Sequence, residues 1–198
     1  MRRKTIVACA GIILTVLIGV GGCQTLRQVA ALRMVDFALD NVADVRLAGV
    51  QLDRIRSYED LRPTDLARLA ASLAQRRLPL AFDLHVAAEN PADNPVEARL
   101  LSMDWTLFLE DRETISGVLD QEFLIPPGSV TDIPLRIQLD LVDFFGDNMR
   151  DLVNLALSLS GEGGEPTNVR LEALPTINTA IGPIRYPQPI TIISREIR

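Results

Sequence analysis

The sequence predicts a mainly β chain, an antiparallel sandwich carrying one or two short helices. Three observations lead there. Leu80, Phe82, Leu84, Val86 and Ala88 alternate with Ala81, Asp83, His85, Ala87 and Glu89 until Asn90-Pro91 stops the run, and strict alternation of that length marks a strand with one buried face. The same period recurs at Leu101, Met103, Trp105, Leu107 and Leu109, and again at Ile133, Leu135, Ile137, Leu139 and Leu141. About eight strands can be traced with no alternating βαβ rhythm, which points to antiparallel strands joined by turns.

Before the first strand comes a leader. Met1 to Lys4 is basic, Thr5 to Val20 is almost wholly apolar or small, and Gly21, Gly22 and Cys23 follow. A positive start, an apolar centre and small residues at the cut are the layout of an export signal. An uncleaved anchor is the alternative, for which an apolar run of about 17 residues is only just long enough. Val20-Gly21-Gly22-Cys23 resembles the lipobox of bacterial lipoprotein signals, with valine where leucine is commoner and glycine where alanine or serine is. The resemblance implies cleavage between Gly22 and Cys23 and acylation of Cys23 by chains such as palmitate. Several acyl chains hold a protein stably at a membrane, where one gives marginal binding. With Gln24 in place of aspartate, the sorting rule of enteric bacteria implies the outer membrane, facing the periplasm. Residues 1–22 are thus expected to be a signal peptide, 23–32 a tether and 33–198 one domain.

Within that domain Val35, Phe37 and Leu39 alternate, and VRLAGVQLDRI continues as a second strand piece in which Gly49 marks a bulge or bend. From Ser57 the period changes: Pro63-Thr64 starts a run with Leu66, Leu69, Ala70, Leu73 and Ala74 at three and four spacing, a short amphipathic helix. Its other face, with Arg68, Gln75, Arg76 and Arg77, reads as solvated. The strands at 78–90 and 98–110, joined by an Asn/Pro/Ala/Asp loop, read as antiparallel neighbours. Arg112 to Ile125 reads as one strand with a bulge at Gly117, and Pro126-Pro127-Gly128-Ser129 as a turn. Pro134 donates no hydrogen bond, so its strand should lie at an edge or place it between ladder bonds. Phe144 to Leu159 reads as one helix, 161–166 as a Gly/Glu loop, and strands begin again at Val169 and near the C-terminal end.

Composition narrows the chemistry. The formal net charge is −6, and subtracting Arg2, Arg3 and Lys4 of the leader leaves about −9, which argues against nucleic acid as a partner. Lys4 is the only lysine, so lysine-dependent covalent mechanisms are excluded from the domain. The two cysteines, Cys9 and Cys23, fall in or beside the leader and leave the domain no disulfide framework or thiolate metal site. His85 is the single histidine and sits on the polar face of its strand, where Asp83 and Glu89 are its expected ionic neighbours. General-base work there would need a cleft and a bound substrate. Asp143, Asp147 and Asp151 would form an acidic row on one helix, without the glycine and ligand spacing of an EF-hand. Asn90-Pro91 and Asn94-Pro95 read as turn formers, and Trp105 as a core residue whose indole nitrogen should find a partner.

The order of these pieces, LAFDLHVAAENP, WTLFLEDRETISG, LIPPGS and VTDIPLRIQL, with VRLAGVQL before and TAIGPIRYP after, resembles the late embryogenesis abundant type 2 domain, also called the water stress and hypersensitive response (WHy) domain. The likeness spans about Met34 to Ile193. Departures are the insertion of Ala92-Asp93 with a second Asn-Pro and a longer helical segment before the last strands. The resemblance implies a fibronectin/immunoglobulin-like sandwich and an association with desiccation or osmotic stress, and it supplies no catalytic residues. The expectation is therefore a non-enzymatic lipoprotein of the cell envelope, with no cofactor and no metal, either stress-protective or engaging an envelope protein. An apolar-ligand or lipid-binding module is the alternative, for which the small residues Ala81, Ala87 and Ala88 are the only hint. An assembly partner offering an edge strand or the Leu66 to Leu73 helix is another.

Overall fold

The computed structural model describes residues 35–161, 168–179 and 182–193. The leader, the lipobox with Cys23 and the tether lie outside these residues, as does most of the Gly/Glu loop. The strands are β1 (Asp36–Leu47), β2 (Val50–Gln51), β3 (Pro79–Asn90), β4 (Ala98–Leu109), β5 (Arg112–Leu119), β6 (Phe123–Ile125), β7 (Ser129–Asp140), β8 (Val169–Thr179), β9 (Gly182–Arg185) and β10 (Ile190–Ile193). They form two antiparallel sheets, one ordered β2-β1-β3-β7 and the other β10-β8-β4-β5, with β6 paired to β4 and β9 to β8. The fold is the expected mainly β sandwich. Alternation along β3 is complete: Leu80, Phe82, Leu84, Val86 and Ala88 are buried with their opposite numbers Leu135 and Ile137 of β7, facing Leu107 and Leu109 of β4 and Leu171 and Ala173 of β8 in one core cluster.

Several local expectations are corrected. The strands at 78–90 and 98–110 are not neighbours: β3 pairs β1 and β7, whereas β4 pairs β5, β6 and β8 in the other sheet. The segment 91–97 is a corner that crosses the ~10 Å between sheets, and the alternation that revealed both strands says which face is buried, not which strand lies alongside. Asp36–Leu47 is one strand rather than two pieces parted after Asn41, its register shifting between Leu39 and Asn41 and between Ala43 and Arg46. The segment 112–125 is two strands, β5 and β6. Gly117 is no bulge but sits opposite Trp105; the irregularity of this pair lies between Leu107 and Phe108.

Helices close the end of the sandwich where β1 turns into β2. The first, α1 (Pro63–Ala74), buries Leu69 and packs Leu66 and Leu73 on the core, with proline at its first turn where a missing N–H costs nothing. The predicted helix 144–159 is two: α2 (Val142–Phe145), ended by Gly146 at φ 82°, and α3 (Met149–Leu159), started by Asn148, whose side chain accepts from the Arg150 N–H. Leu152, Val153, Ala156, Leu157 and Leu159 of α3 are buried, and the helix packs against β1 and α1. Pro134 lies on the outer strand of its sheet, as its missing donor requires.

Candidate functional site

His85 is half-buried on the outward face of β3, its Nδ1 2.9 Å from Oδ2 and 3.0 Å from Oδ1 of Asp132 on β7. The contact runs across strands, not along β3 to Asp83 or Glu89. Asp83 instead accepts from Arg136, 3.2 Å away on the facing strand. Arg136 is the directly opposed neighbour of Asp83, whereas Asp132 lies diagonally from His85, whose opposed residue is Pro134, within the reach of a long side chain. His85 meets Asp132 and no hydroxyl among the described residues, and no group of three His, Cys, Asp or Glu residues there could hold a metal ion. Asp143, Asp147 and Asp151 fall on α2, on the break and on α3 respectively, so the break at Gly146 dissolves the row.

The Asn-Pro pairs do structural work. Asn90 is fully buried; its Nδ2 donates to Ile125 O (2.7 Å) and Val96 O (3.1 Å), and its Oδ1 accepts from Asn94 Nδ2 at 2.7 Å. Two buried amides thus tie the crossing loop to β6. Trp105 belongs to the core at 8 % exposure, with its ring against Gly117. Its indole nitrogen has no partner among the described residues. No fully buried side-chain nitrogen or oxygen there lacks one, so that nitrogen reaches the surface at the β5 edge.

Among the described residues, arginines without a hydrogen bond or ion pair to a carboxylate gather around α1: Arg68 on it and Arg76 and Arg77 just past its end. At its start Arg62 Nε donates to Asp65 Oδ2 at 2.8 Å, and this hydrogen bond holds the Asp65 carboxyl below its ordinary range although burial pushes the other way. At its end Arg76 N–H donates to Leu73 O and Arg77 N–H to Ser72 O, with Arg76 at φ 55°. That is a Schellman stop with arginine where glycine is favoured. Arg68, Gln75, Arg76 and Arg77 are all exposed, as expected of a solvated face. Arg68, Ser72, Gln75 and Arg77 form one wall of an open groove whose floor and far wall include Ala48, Pro79, Gln138 and Leu139. Sequence periodicity placed the wall, but the far side comes from β1, β3 and β7 and carries no local signal. On the opposite flank a smaller groove of about 280 Å³ is lined by Val35, Phe37, Pro175, Tyr186, Ile190 and Ile192. Val118, Leu124 and Val130 are large apolar side chains exposed on β5, β6 and β7.

The molecule is, in class, a two-sheet antiparallel sandwich closed at one end by helices. A scan against protein-family models found no match, nor did a search of curated proteins. Among solved structures the chain is similar to a crystal structure of a protein from Archaeoglobus fulgidus, at 14% identity over 59% of this chain and 86% of that one, with a TM-score of 0.31. It is also similar to the solution structure of a protein described as late embryogenesis abundant (LEA), at 12% identity over 96% of this chain and 90% of that one, with a TM-score of 0.36.

Proposed function

We propose that the chain is a lipid-anchored protein of the cell envelope, held by Cys23, whose domain is a non-enzymatic module of the late embryogenesis abundant type 2 kind that protects neighbouring molecules when water is lost. The observation that carries this reading is the contrast between interior and exterior. The core is filled from both sheets, its buried polar groups (Asn90, Asn94, Asp65 and Thr114) are engaged in turns, caps and cross-strand bonds, and the outward faces of β3, β7, β4 and β8 carry ion pairs. An acidic, ion-paired exterior stays hydrated and keeps copies apart as they concentrate. The motivation for the anchor is the Val20-Gly21-Gly22-Cys23 sequence.

Two measurements test it. Cys23→Ser should abolish incorporation of labelled palmitate; retention of label would sink the anchor. A domain beginning at Thr25, dried and rehydrated with an aggregation-prone reporter enzyme, should preserve more activity than an unrelated acidic β-sandwich at equal mass. Equal preservation would sink the protective role. A second reading, capture of a small apolar ligand, is favoured by the groove at Val35, Tyr186 and Ile190. Its volume of about 280 Å³ falls just below the ~300–1,000 Å³ range of ligand pockets, which leaves room for a chain end, not a whole lipid.

A further inference from the structure

The arginines of this acidic domain are not distributed at random with respect to partners. Arg46, Arg62, Arg99, Arg136, Arg150, Arg170 and Arg185 each pair with a carboxylate, and Arg112 meets the Phe144 carbonyl and the Phe145 ring. Arg56 is engaged as well. The guanidinium groups of Arg54, Arg68, Arg76 and Arg77 make no hydrogen bond, ion pair or ring contact with the described residues, and all four fall between β2 and β3. In a chain with 26 acidic residues against 20 basic ones, carboxylates are plentiful everywhere else. Arg68 acts on the Asp65 carboxylate through charge alone, without a hydrogen bond, and four guanidinium groups without a hydrogen-bonded carboxylate keep positive potential at this end, which a concave surface focuses.

A second observation concerns Arg76. It occupies the left-handed position that ends α1, where a side-chain-bearing residue costs about 1 kcal/mol or more. The negative end of the helix dipole attracts a cation at that point, but it does not reach Arg54 or Arg68. The groove beside Arg68 and Arg77 has Ala48, Ala71, Pro79 and Leu139 for apolar contacts and the Gln75, Gln138 and Ser72 side chains for hydrogen bonds. Asp140 is also in its lining, with Oδ1 occupied by the N–H groups of Leu78 (2.7 Å) and Val142 (3.2 Å). A carboxylate on the floor disfavours a dense polyanion such as a phosphate chain. One cationic wall beside a partly apolar floor suits an extended peptide in which acidic side chains alternate with small apolar ones.

We propose that this groove, between α1 and the adjoining ends of β1, β3 and β7, is a docking site for an acidic peptide segment of a partner protein, with Arg68 and Arg77 taking its carboxylates. This goes beyond the protective role and does not depend on the anchor. The test uses the full chain in detergent and fluorescence anisotropy with a labelled peptide of alternating glutamate and alanine. Its lysine–alanine counterpart and polyphosphate serve as comparison probes. The acidic peptide should bind at low salt and weaken as salt rises, and Arg68→Gln with Arg77→Gln should weaken it about tenfold or more. Arg136→Gln, on the outward face of β7, should leave it unchanged. Absence of binding, binding indifferent to the double substitution, or binding of polyphosphate alone would overturn the proposal. So would self-association that the double variant abolishes in the absence of peptide binding, because the occupant would then be a second copy. Circular dichroism of both variants separates loss of the site from loss of the fold.

Discussion

A Cβ placed on Gly117 would stand 2.4 Å from Cζ2 and 2.8 Å from Cε2 of Trp105, its directly opposed neighbour in the β4–β5 ladder. The indole therefore uses the space that a side chain at position 117 would fill. Gly117→Ala should destabilise the domain by about 1–3 kcal/mol, as overpacking does. Chemical denaturation followed by Trp105 fluorescence would show it as a lower midpoint with an unchanged slope. An unaltered midpoint would mean that the ring moves freely.

Asn90 holds the crossing loop by three hydrogen bonds while fully buried. Asn90→Ala strands the Ile125 and Val96 carbonyls and the Asn94 amide, at a cost of about 2–4 kcal/mol. Asn94→Ala, which removes one partner of Asn90 and the 3.3 Å acceptance from the Val96 N–H, should cost less. Thermal melts of the two variants side by side would establish the ranking, and the reverse order would refute it.

The depressed Asp65 carboxyl makes a directional prediction about acid. Its hydrogen bond from Arg62 lowers its pKa beneath the ordinary 3.8, so its contribution to stability is complete above that ordinary value and is lost as pH falls through the lower folded value. Asp65→Asn should be less stable than the wild type at neutral pH, with the gap closing as pH drops below about 4. A gap that widens on acidification would contradict the assignment.

Arg76→Gly relieves a left-handed backbone at the end of α1 and restores the favoured Schellman residue. Relief of strain outweighs the added freedom of the unfolded chain, for a net gain of about 0.5–1 kcal/mol. Calorimetry should register a rise in Tm of about 1–4 °C for a domain of this size. A fall would mean that Arg76 makes a contact worth more than its strain.

How much of this was legible in the sequence depends on the range of the interaction. The faces of β3 and β7 follow from a period of two, and α1 from Pro63 and a period near 3.6, because burial imposes both locally. Strand β4 keeps the period only from Met103 on, since a register shift between Leu100 and Ser102 buries Leu100 in place of the expected Leu101. The partners of those strands do not follow, and β3 and β4, adjacent in sequence, lie in different sheets. The break between α2 and α3 was visible only in Gly146 and Asn148, single residues inside an otherwise regular apolar pattern. His85 was placed on the correct face, yet Asp132 was missed because it lies 47 positions along the chain. The α1 arginines were read as a solvated face, and what singles them out, the absence of partners, is a property of three dimensions.

Pro134 sits midway along β7, the outer strand of its sheet, and the β3–β7 register passes through it without a shift, opposite His85. Its missing N–H therefore falls on the open side of the strand. When water is withdrawn and neighbouring copies are pressed together, a twelve-residue open strand would otherwise be a template on which one chain recruits the next into fibrils. With the donor row interrupted at its centre and Asp132 and Arg136 flanking the gap, such a stack has no continuous seam along which to grow.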